Sequence, residues 1–313
     1  LTGPTAVGKT ALSVKLAKVI NGSIISADSM QVYRGMDIGS AKVTKEEMGG
    51  IKHYLIDVLE PDEEFHVVLF QQMAKQAIQK IYEKGKIPII VGGTGFYIQA
   101  VLYDIDFSEN EKDTSYREEL EKLAQTKGAE YLHDLLRKVD EKSAQDIHAN
   151  NVKRVIRALE YFHQTGEKIS EHNEEQRKKV SPYNFSYFVL NDEREHLYER
   201  INLRVDQMIN EGLVSEVQSL KEKGYTRDMV SMQGLGYKEM LDYLDNKCSL
   251  EEAVEIIKRD TRHFAKRQIT WFKRESDVTW IDKKEYEYNE ERILKAMLEE
   301  LKERGIINEY NNG

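Results

Sequence analysis

The residues after Thr2 constrain the fold most, because they read Gly3-Pro4-Thr5-Ala6-Val7-Gly8-Lys9-Thr10 and fit the pattern G-x-x-x-x-G-K-[ST]. Such a loop, the P-loop, joins a buried strand to a helix, and its backbone N–H groups and the positive helix end surround a phosphate. In this pattern Lys9 reaches a terminal phosphate, and the hydroxyl of Thr10 ligates Mg²⁺. The motif therefore predicts an α/β chain that holds a diphosphate, with further strand residues upstream of Leu1.

Residues 1–106 alternate between helix-like and strand-like segments. Apolar spacing predicts helices at 11–20 and 65–84, and short apolar runs predict strands at 23–28, 53–59 and 87–91. Alternation of this kind is typical of a parallel sheet covered by helices. Together with the glycine-rich motif, it predicts a P-loop NTPase-like α/β fold.

The pattern changes at about residue 107. Up to residue 183 the chain is highly charged, with helical segments at 116–126, 130–139 and 152–164 and no strand signal. Residues 184–282 return to a mixed pattern that includes a capping box, Ser249-Leu250-Glu251-Glu252, opening a long helix to about residue 274. We therefore predict a discontinuous α/β core (1–106 and 184–282), an all-α insertion domain (107–183), and a C-terminal helix and tail (283–313).

Composition excludes several classes of protein. The single cysteine, Cys248, excludes an internal disulfide and a cysteine-based zinc site. The longest uncharged run, 87–103, is interrupted by proline and glycine, so it predicts strand, loop and helix instead of a membrane span. No signal-peptide pattern opens the sequence, so we expect a cytoplasmic protein, and we expect a monomer.

Asp28 follows one predicted strand, whereas the predicted strand at 87–91 has no acidic residue at its end. A P-loop hydrolase needs an acid at the end of a neighbouring strand to hold magnesium, but the strand at 87–91 ends in Gly92-Gly93-Thr94-Gly95. Asp28, in contrast, leaves its strand at the carboxyl end, where ligands bind in open α/β sheets. There it can act as a general base or help to place magnesium, or it can simply cap the next turn.

The long helix near the C-terminus has a strongly basic half. Residues 256–274 hold seven Lys/Arg against one Asp, a local charge of +6 in a chain of −9. At about 100° per residue, one side is predicted to be apolar (Leu250, Val254, Ile257, Phe264, Trp271) and the other basic (Arg259, Arg262, His263, Lys266, Lys273, Arg274). A stripe of this kind favours a track for nucleic-acid phosphates over a merely solvated face.

Several blocks in order along the whole chain carry a family resemblance. They are Gly-Pro-Thr-Ala-Val-Gly-Lys-Thr at 3–10, Asp-Ser-Met-Gln-Val-Tyr-Arg-Gly-Met-Asp-Ile-Gly at 28–39, Gly-Gly-Thr-Gly-Phe-Tyr at 92–97, Arg-Ala-Leu-Glu at 157–160, Gly-Leu-Gly-Tyr-Lys-Glu at 234–239 and Ala-Lys-Arg-Gln-Ile-Thr-Trp-Phe at 265–272. This pattern resembles the bacterial tRNA dimethylallyltransferases, the IPP transferase family. Val7, where serine is common, and Lys52-His53-Tyr54, where Pro-His-His is usual, depart from it without touching a residue given a catalytic role.

The resemblance implies a reaction and its residues. The family transfers a dimethylallyl group from dimethylallyl diphosphate to the exocyclic amine of the adenine 3′-adjacent to the anticodon, releasing diphosphate. By resemblance the catalytic residues are Asp28, Thr10 and Arg204, Thr10 ligates Mg²⁺, and the diphosphate or nucleotide loop is Gly3, Pro4, Thr5, Ala6, Val7, Gly8, Lys9 and Thr10. The tRNA anticodon stem-loop would meet Asp28, Ser29, Met30, Gln31, Thr94, Arg117, Lys153, Arg154, Arg157, Gln233, Thr261, Arg262, Lys266, Arg267 and Gln268.

Two other functions stay open on the residues alone. A small-molecule kinase would account for the P-loop motif and Asp28 but not for the basic helix. A nucleotide-dependent RNA-binding module without chemistry would leave the run Asp28-Ser29-Met30-Gln31 unexplained. Transfer of label from dimethylallyl diphosphate to tRNA, or from ATP to a metabolite, discriminates between them.

Overall fold

The structure, a computed structural model, describes residues 1–107 and 115–308. Residues 108–114 of the predicted insertion and 309–313 of the predicted tail lie outside the described residues. The chain forms two compact units, Leu1–Val101 with Tyr183–Gly313, and Leu102–Pro182. The helical unit thus starts a few residues before the predicted boundary, and the C-terminal segment, predicted as a separate part, belongs to the first unit.

Parallel strands form the centre of the first unit: β1 (Gly22–Ala27), β2 (His53–Tyr54), β3 (Ile87–Gly92), β4 (Phe188–Asn191) and β5 (Thr279–Asp282). β1 lies between β2 and β3, and β4 pairs with β5. Thr2 bridges in parallel to both Gly92 and Val189, so the residues before the glycine-rich motif join the two groups of strands. The strand predicted at 53–59 is shorter, because Leu55 and Asp57 have positive φ angles that end the extended backbone.

Helices cover these strands: α1 (Lys9–Val19), α2 (Lys45–Met48), α3 (Val67–Tyr82), α4 (Gly95–Leu102), and, after the helical unit, α10 (Arg194–Glu211), α11 (Leu213–Glu222), α12 (Tyr237–Leu244), α13 (Leu250–Phe272) and α14 (Glu290–Glu303). A short 3₁₀ turn spans Ser231–Gln233. The C-terminal helix α14 packs on α1. Its residues Ile293, Met297 and Leu301 are buried in the same core as Leu12 and Leu16 of α1, which is why this helix is part of the unit.

The buried side of α13 is the apolar side that the helical wheel predicted, but partly different residues of that side are fully buried. The helix begins as expected, because the Ser249 hydroxyl accepts from the Glu252 N–H and the Glu252 carboxylate accepts from the Ser249 N–H. The buried residues, however, are Ala253, Ile257, Ala265, Gln268 and Phe272. Phe264 and Trp271 are only half-buried. α10 and α12 pack against α13, and the fully buried positions include two alanines and Gln268 beside the larger Ile257 and Phe272.

The helical unit consists of α5 (Ser115–Lys127), α6 (Ala129–Val139), α7 (Glu141–Asp146), α8 (Val152–Thr165) and α9 (Ile169–Arg177), around a core that includes Leu120, Leu132 and Val155. The described residues of this unit contain no strand, as predicted. Two of its helices, α7 and α9, lack apolar periodicity and were not predicted. The buried Asp140 carboxylate holds them together by accepting hydrogen bonds from Ser143 and Ser170.

None of the helices in the described part of the chain is long and apolar enough to cross a membrane.

Candidate active site

Three predicted site segments meet at the carboxyl edge of the parallel strands. The loop of residues 3–10, called the glycine loop here, follows Thr2, while Asp28 follows β1 and Thr94 follows β3. Parallel pairing puts these chain ends on one edge of the sheet. Gly8 makes the turn into α1 at φ 103°, a conformation that suits glycine.

Charges from three separate elements act on one another at this edge. The pKa of Lys9 falls to about 7, because burial disfavours its charged form and the Arg204 guanidinium repels it, while the Asp28 carboxylate acts in the opposite direction. Burial also lowers the pKa of Arg204, and Asp28 again opposes that effect. Lys9 Nζ donates to the carbonyl oxygens of Gly3 (3.0 Å) and Pro4 (2.8 Å). The structure therefore brings together Lys9, Asp28 and Arg204, the last of which was expected at the site only from the family resemblance.

Two further cations contact the glycine loop, and sequence reasoning missed both. Arg200 Nε donates to the carbonyl oxygen of Ala6 at 2.8 Å, and Lys283 Nζ donates to that of Val7 at 3.1 Å. Burial, followed by repulsion from Arg200, lowers the pKa of Lys283. Arg200 lies four residues before Arg204 on α10, so its helical spacing was an available signal. Lys283 offered a weaker one, its place directly after β5.

Asp28 starts a tight turn. Its Oδ1 accepts from the backbone N–H groups of Met30 (2.8 Å) and Gln31 (3.3 Å), so it also has the capping role that the sequence left open. Asp28, Ser29, Met30 and Gln31 are all partly exposed. Gln31 Nε2 donates to the carbonyl oxygen of Ala41 at 3.2 Å, and an Arg204 amino group donates to the same oxygen at 3.5 Å.

The loop after Gln31 is held by a carboxylate that the sequence did not single out. The Glu216 carboxylate on α11 accepts from the backbone N–H groups of Asp37 (2.9 Å), Ile38 (2.7 Å) and Gly39 (3.2 Å). It also accepts from the hydroxyl of the fully buried Tyr237 at 2.8 Å. Burial and this carboxylate together raise the pKa of Tyr237 well above its usual value. Glu216 thus fixes the loop that presents Ala41 to Gln31 and Arg204.

The residues of α13 that were predicted to contact tRNA differ in their exposure to solvent. Lys266 and Arg267 are exposed, and with His263, Thr270, Trp271 and Arg274 they line a surface pocket of about 460 Å³. Arg262 is half-buried and donates to Asn202 Oδ1 at 2.6 Å, and Thr261 is also half-buried. Gln268 is buried and its amide is bonded within the protein. Of the predicted tRNA contacts on α13, Lys266 and Arg267 are thus the exposed ones, and Arg259, His263, Lys273 and Arg274 of the basic stripe are exposed as well.

The remaining predicted RNA contacts lie in different surroundings. Thr94 is partly exposed just before α4, and Gln233 is exposed at the end of the 3₁₀ turn. In the helical unit, Lys153 and Arg154 are exposed and Arg157 is half-buried. Arg117, in contrast, forms a two-bond ion pair with the buried carboxylate of Glu160, at 2.9 Å for each bond. This gives Arg117 a role inside the unit that the sequence did not predict.

Magnesium was predicted with Thr10 as a ligand. The described residues contain no group of three or more His, Cys, Asp or Glu that could hold a metal ion by themselves. Thr10 is exposed at the start of α1, so its hydroxyl oxygen is accessible. One hard oxygen donor beside the glycine loop suits Mg²⁺, which commonly takes its other ligands from substrate phosphates and water.

Known proteins are similar to this chain over most of its length. A family model described as IPP transferase matches residues 31–275. The chain is 66% identical over 307 residues to a tRNA dimethylallyltransferase of Lachnoclostridium phytofermentans, with 98% of each chain covered. It is 56% identical over 282 residues to a tRNA dimethylallyltransferase of Bacillus cereus, with 90% of this chain and 88% of the relative covered.

Solved structures extend the comparison to the fold. The full-length tRNA isopentenylpyrophosphate transferase from Bacillus halodurans is 47% identical, with a TM-score of 0.72 and coverage of 97% of this chain and 96% of that one. A eukaryotic dimethylallyltransferase acting on tRNA is 33% identical, with a TM-score of 0.77 and coverage of 90% and 72%. The fold and the site define a transferase of the mixed α/β class, built on parallel strands and many helices. The chain belongs to the IPP transferase family.

Proposed function

We propose that this chain transfers a dimethylallyl group from dimethylallyl diphosphate to the exocyclic amine of the adenine 3′-adjacent to the anticodon in tRNA, releasing diphosphate. The observation that carries the proposal is the meeting of Lys9, Asp28 and Arg204 at one edge of the sheet. The names of its relatives, tRNA dimethylallyltransferases at 66% and 56% identity, support the same reaction.

The glycine loop acts in this proposal as the P-loop of a P-loop NTPase-like fold and binds the prenyl diphosphate. Arg200 and Lys283 bond to the carbonyl oxygens of Ala6 and Val7 and so support the shape of the loop. The anion would bind to backbone N–H groups of the loop at the positive end of α1. Lys9 and Arg204 add charge where the leaving diphosphate becomes more negative as the allylic carbon–oxygen bond breaks.

Asp28 acts as the general base. The adenine amine attacks the allylic carbon, the carbon–oxygen bond gives its electron pair to diphosphate, and the amine proton passes to Asp28. Removal of that proton raises the nucleophilicity of an amine whose lone pair is delocalised into the ring, an effect of about 10²–10⁴-fold. The bonds from the N–H groups of Met30 and Gln31 to Oδ1 support the role, since they hold the carboxylate in place.

The Thr10 hydroxyl would hold Mg²⁺ in this proposal, and the ion would supply neutralising charge to the leaving diphosphate. The tRNA phosphates lie on the exposed Lys266 and Arg267 of α13 and on Lys153 and Arg154 of α8. The target adenine, splayed out of the anticodon loop, meets the segment 28–31 and Thr94. A monomeric state and a cytoplasmic location stay predictions.

The test uses the chain with labelled dimethylallyl diphosphate, Mg²⁺ and an anticodon stem-loop that carries adenine next to the anticodon. A matched stem-loop with guanine at that position is the control. We expect label in the first RNA and none in the second. Label in neither RNA, with phosphate passing from ATP to a small metabolite, would establish the kinase alternative.

A further inference from the structure

Gln268 differs from its neighbours on α13. Lys266 and Arg267 are exposed to solvent, whereas Gln268 is only 7% exposed. A buried side-chain amide needs partners for both its oxygen and its nitrogen, because each unmet group costs free energy. Gln268 has both: Oε1 accepts from the backbone N–H of Thr5 at 2.8 Å, and Nε2 donates to the carbonyl oxygen of Gly93 at 3.0 Å.

These two partners belong to the two loops that the reaction has to bring together. Thr5 lies in the glycine loop, and Gly93 directly precedes Thr94. The two loops follow backbone segments that are paired through the bridge between Thr2 and Gly92. One side chain therefore bonds to both loops just beyond their paired strands, and it fixes the distance between them.

Close packing leaves Gln268 little freedom. A Cβ atom at Gly93 would overlap the Gln268 amide, and a Cβ atom at Gly95 would overlap the indole of Trp271, three residues further along α13. The glycines after β3 thus let α13 approach the loop at two successive turns. If the amide were flipped, its nitrogen would face the Thr5 N–H, donor against donor, and its oxygen would face the Gly93 carbonyl, acceptor against acceptor. Only the observed orientation therefore forms both hydrogen bonds.

We propose that Gln268 is a positioning residue, which holds the glycine loop in register with the Thr94 segment, instead of a direct tRNA contact. The inference rests on the proposed function, since it assigns the prenyl diphosphate to one loop and the adenine to the other. Its consequence is that Gln268 acts on diphosphate binding and turnover, while its exposed neighbours on the same helix act on RNA binding.

The test replaces Gln268 by methionine, which has similar length and volume but no strong donor or acceptor. With inorganic diphosphate as the probe, we expect Gln268→Met to weaken binding about 10-fold, as expected for two missing hydrogen bonds. The KM for dimethylallyl diphosphate should rise, and tRNA affinity should stay within about 2-fold. Lys266→Ala is the matched control, because it should weaken tRNA binding and leave diphosphate binding unchanged.

A second readout follows the loop itself. Amide hydrogen exchange in a peptide covering the glycine loop should be faster in Gln268→Met than in the wild type. If the methionine variant melts at a much lower temperature, Gln268→Ala replaces it, and the same increase is expected. Weaker tRNA binding with unchanged diphosphate binding and unchanged exchange would overturn the proposal. A wild-type chain that exchanges slowly in this loop yet transfers no prenyl group would contradict the proposed function and leave the positioning role standing.

Discussion

Arg200 Nε donates a 2.8 Å hydrogen bond to the carbonyl oxygen of Ala6, although 194 residues separate the two in sequence. On the same loop, Lys283 Nζ bonds to the carbonyl oxygen of Val7. Both cations hold the loop through carbonyl oxygens of consecutive residues. In the proposed function these bonds would fix the shape of the loop before diphosphate binds, which would lower the cost of binding.

This pre-arrangement predicts that Arg200→Ala and Lys283→Ala each weaken inorganic diphosphate binding by about 10-fold, a typical effect of removing one charged hydrogen bond. Affinity for tRNA should stay within a few-fold of that of the wild type. Isothermal calorimetry measures the first and filter binding the second. Arg194→Ala is the control, since this exposed arginine of the same helix lies over the Tyr198 ring, 5.2 Å from its centroid. Unchanged diphosphate binding in both variants would show that the loop keeps its shape without them.

Asp28→Asn should nearly abolish prenyl transfer. The asparagine oxygen still accepts from the N–H groups of Met30 and Gln31, so the turn persists, but the amide cannot take the proton. We expect a decrease of about 10²–10⁴-fold in single-turnover rate, with tRNA affinity within a few-fold. Asp62→Asn, at an exposed aspartate, is the control. A variant that kept more than about a tenth of the rate would point to another base.

The double variant Lys266→Ala with Arg267→Ala should bind tRNA more weakly. The slope of log K against log salt should become shallower by about 0.7–0.9 for each phosphate that these side chains no longer neutralise. Arg262 is left unchanged, because its bond to Asn202 ties it to α10. Lys295→Ala on α14, where Lys295 is an exposed lysine, controls for net charge. An unaltered salt slope would exclude this face of α13 and leave the helical unit as the RNA surface.

Lys9 should take up a proton when diphosphate binds. The pKa of Lys9 is lowered to about 7 in the free chain, chiefly by burial, and a bound anion has to raise it. Above pH 7 the Lys9 side chain is therefore mostly neutral in the free chain and charged in the complex. Because binding then requires uptake of a proton, the affinity for diphosphate falls as the pH rises. Calorimetry at pH 8 in buffers of different ionisation enthalpy measures the proton count. Lys9→Arg, whose charge does not titrate in this range, should bind without this uptake.

Arg117→Ala should destabilise the helical unit. Glu160 is only 4% exposed, so its carboxylate would lose both bonds of its ion pair in a buried place. Because Arg117 itself is partly exposed, we expect a decrease of about 1–3 kcal/mol in the free energy of unfolding, less than for a fully buried pair. Urea titration measures it, and adding Glu160→Gln should recover part of the decrease. A stable Arg117→Ala variant that binds tRNA poorly would instead support the RNA contact predicted from the resemblance.

The features that the sequence predicted are those that depend on residues close to one another along the chain. They include the glycine-rich motif before α1, the alternation of strands and helices, the capping box at Ser249, and the place of Asp28 at the end of β1. Each is encoded within a few residues, through helical spacing, capping or glycine geometry. Helices α7 and α9 escaped prediction because they lack that local signal. They are held by Asp140 instead.

By itself, then, the sequence determined the α/β class of the fold, the glycine loop before α1 and the place of Asp28 at the end of β1. The tertiary structure alone decided which charges contact the loop, which carboxylate holds residues 37–39, and which two loops the buried Gln268 of α13 joins. The partners concerned are far apart in sequence, with separations of 263 residues for Thr5 and Gln268 and 276 for Val7 and Lys283. A charged or amide side chain on a helix looks the same locally whether it ends in water or against another loop. Only the packing of the helices on the sheet settles which it meets.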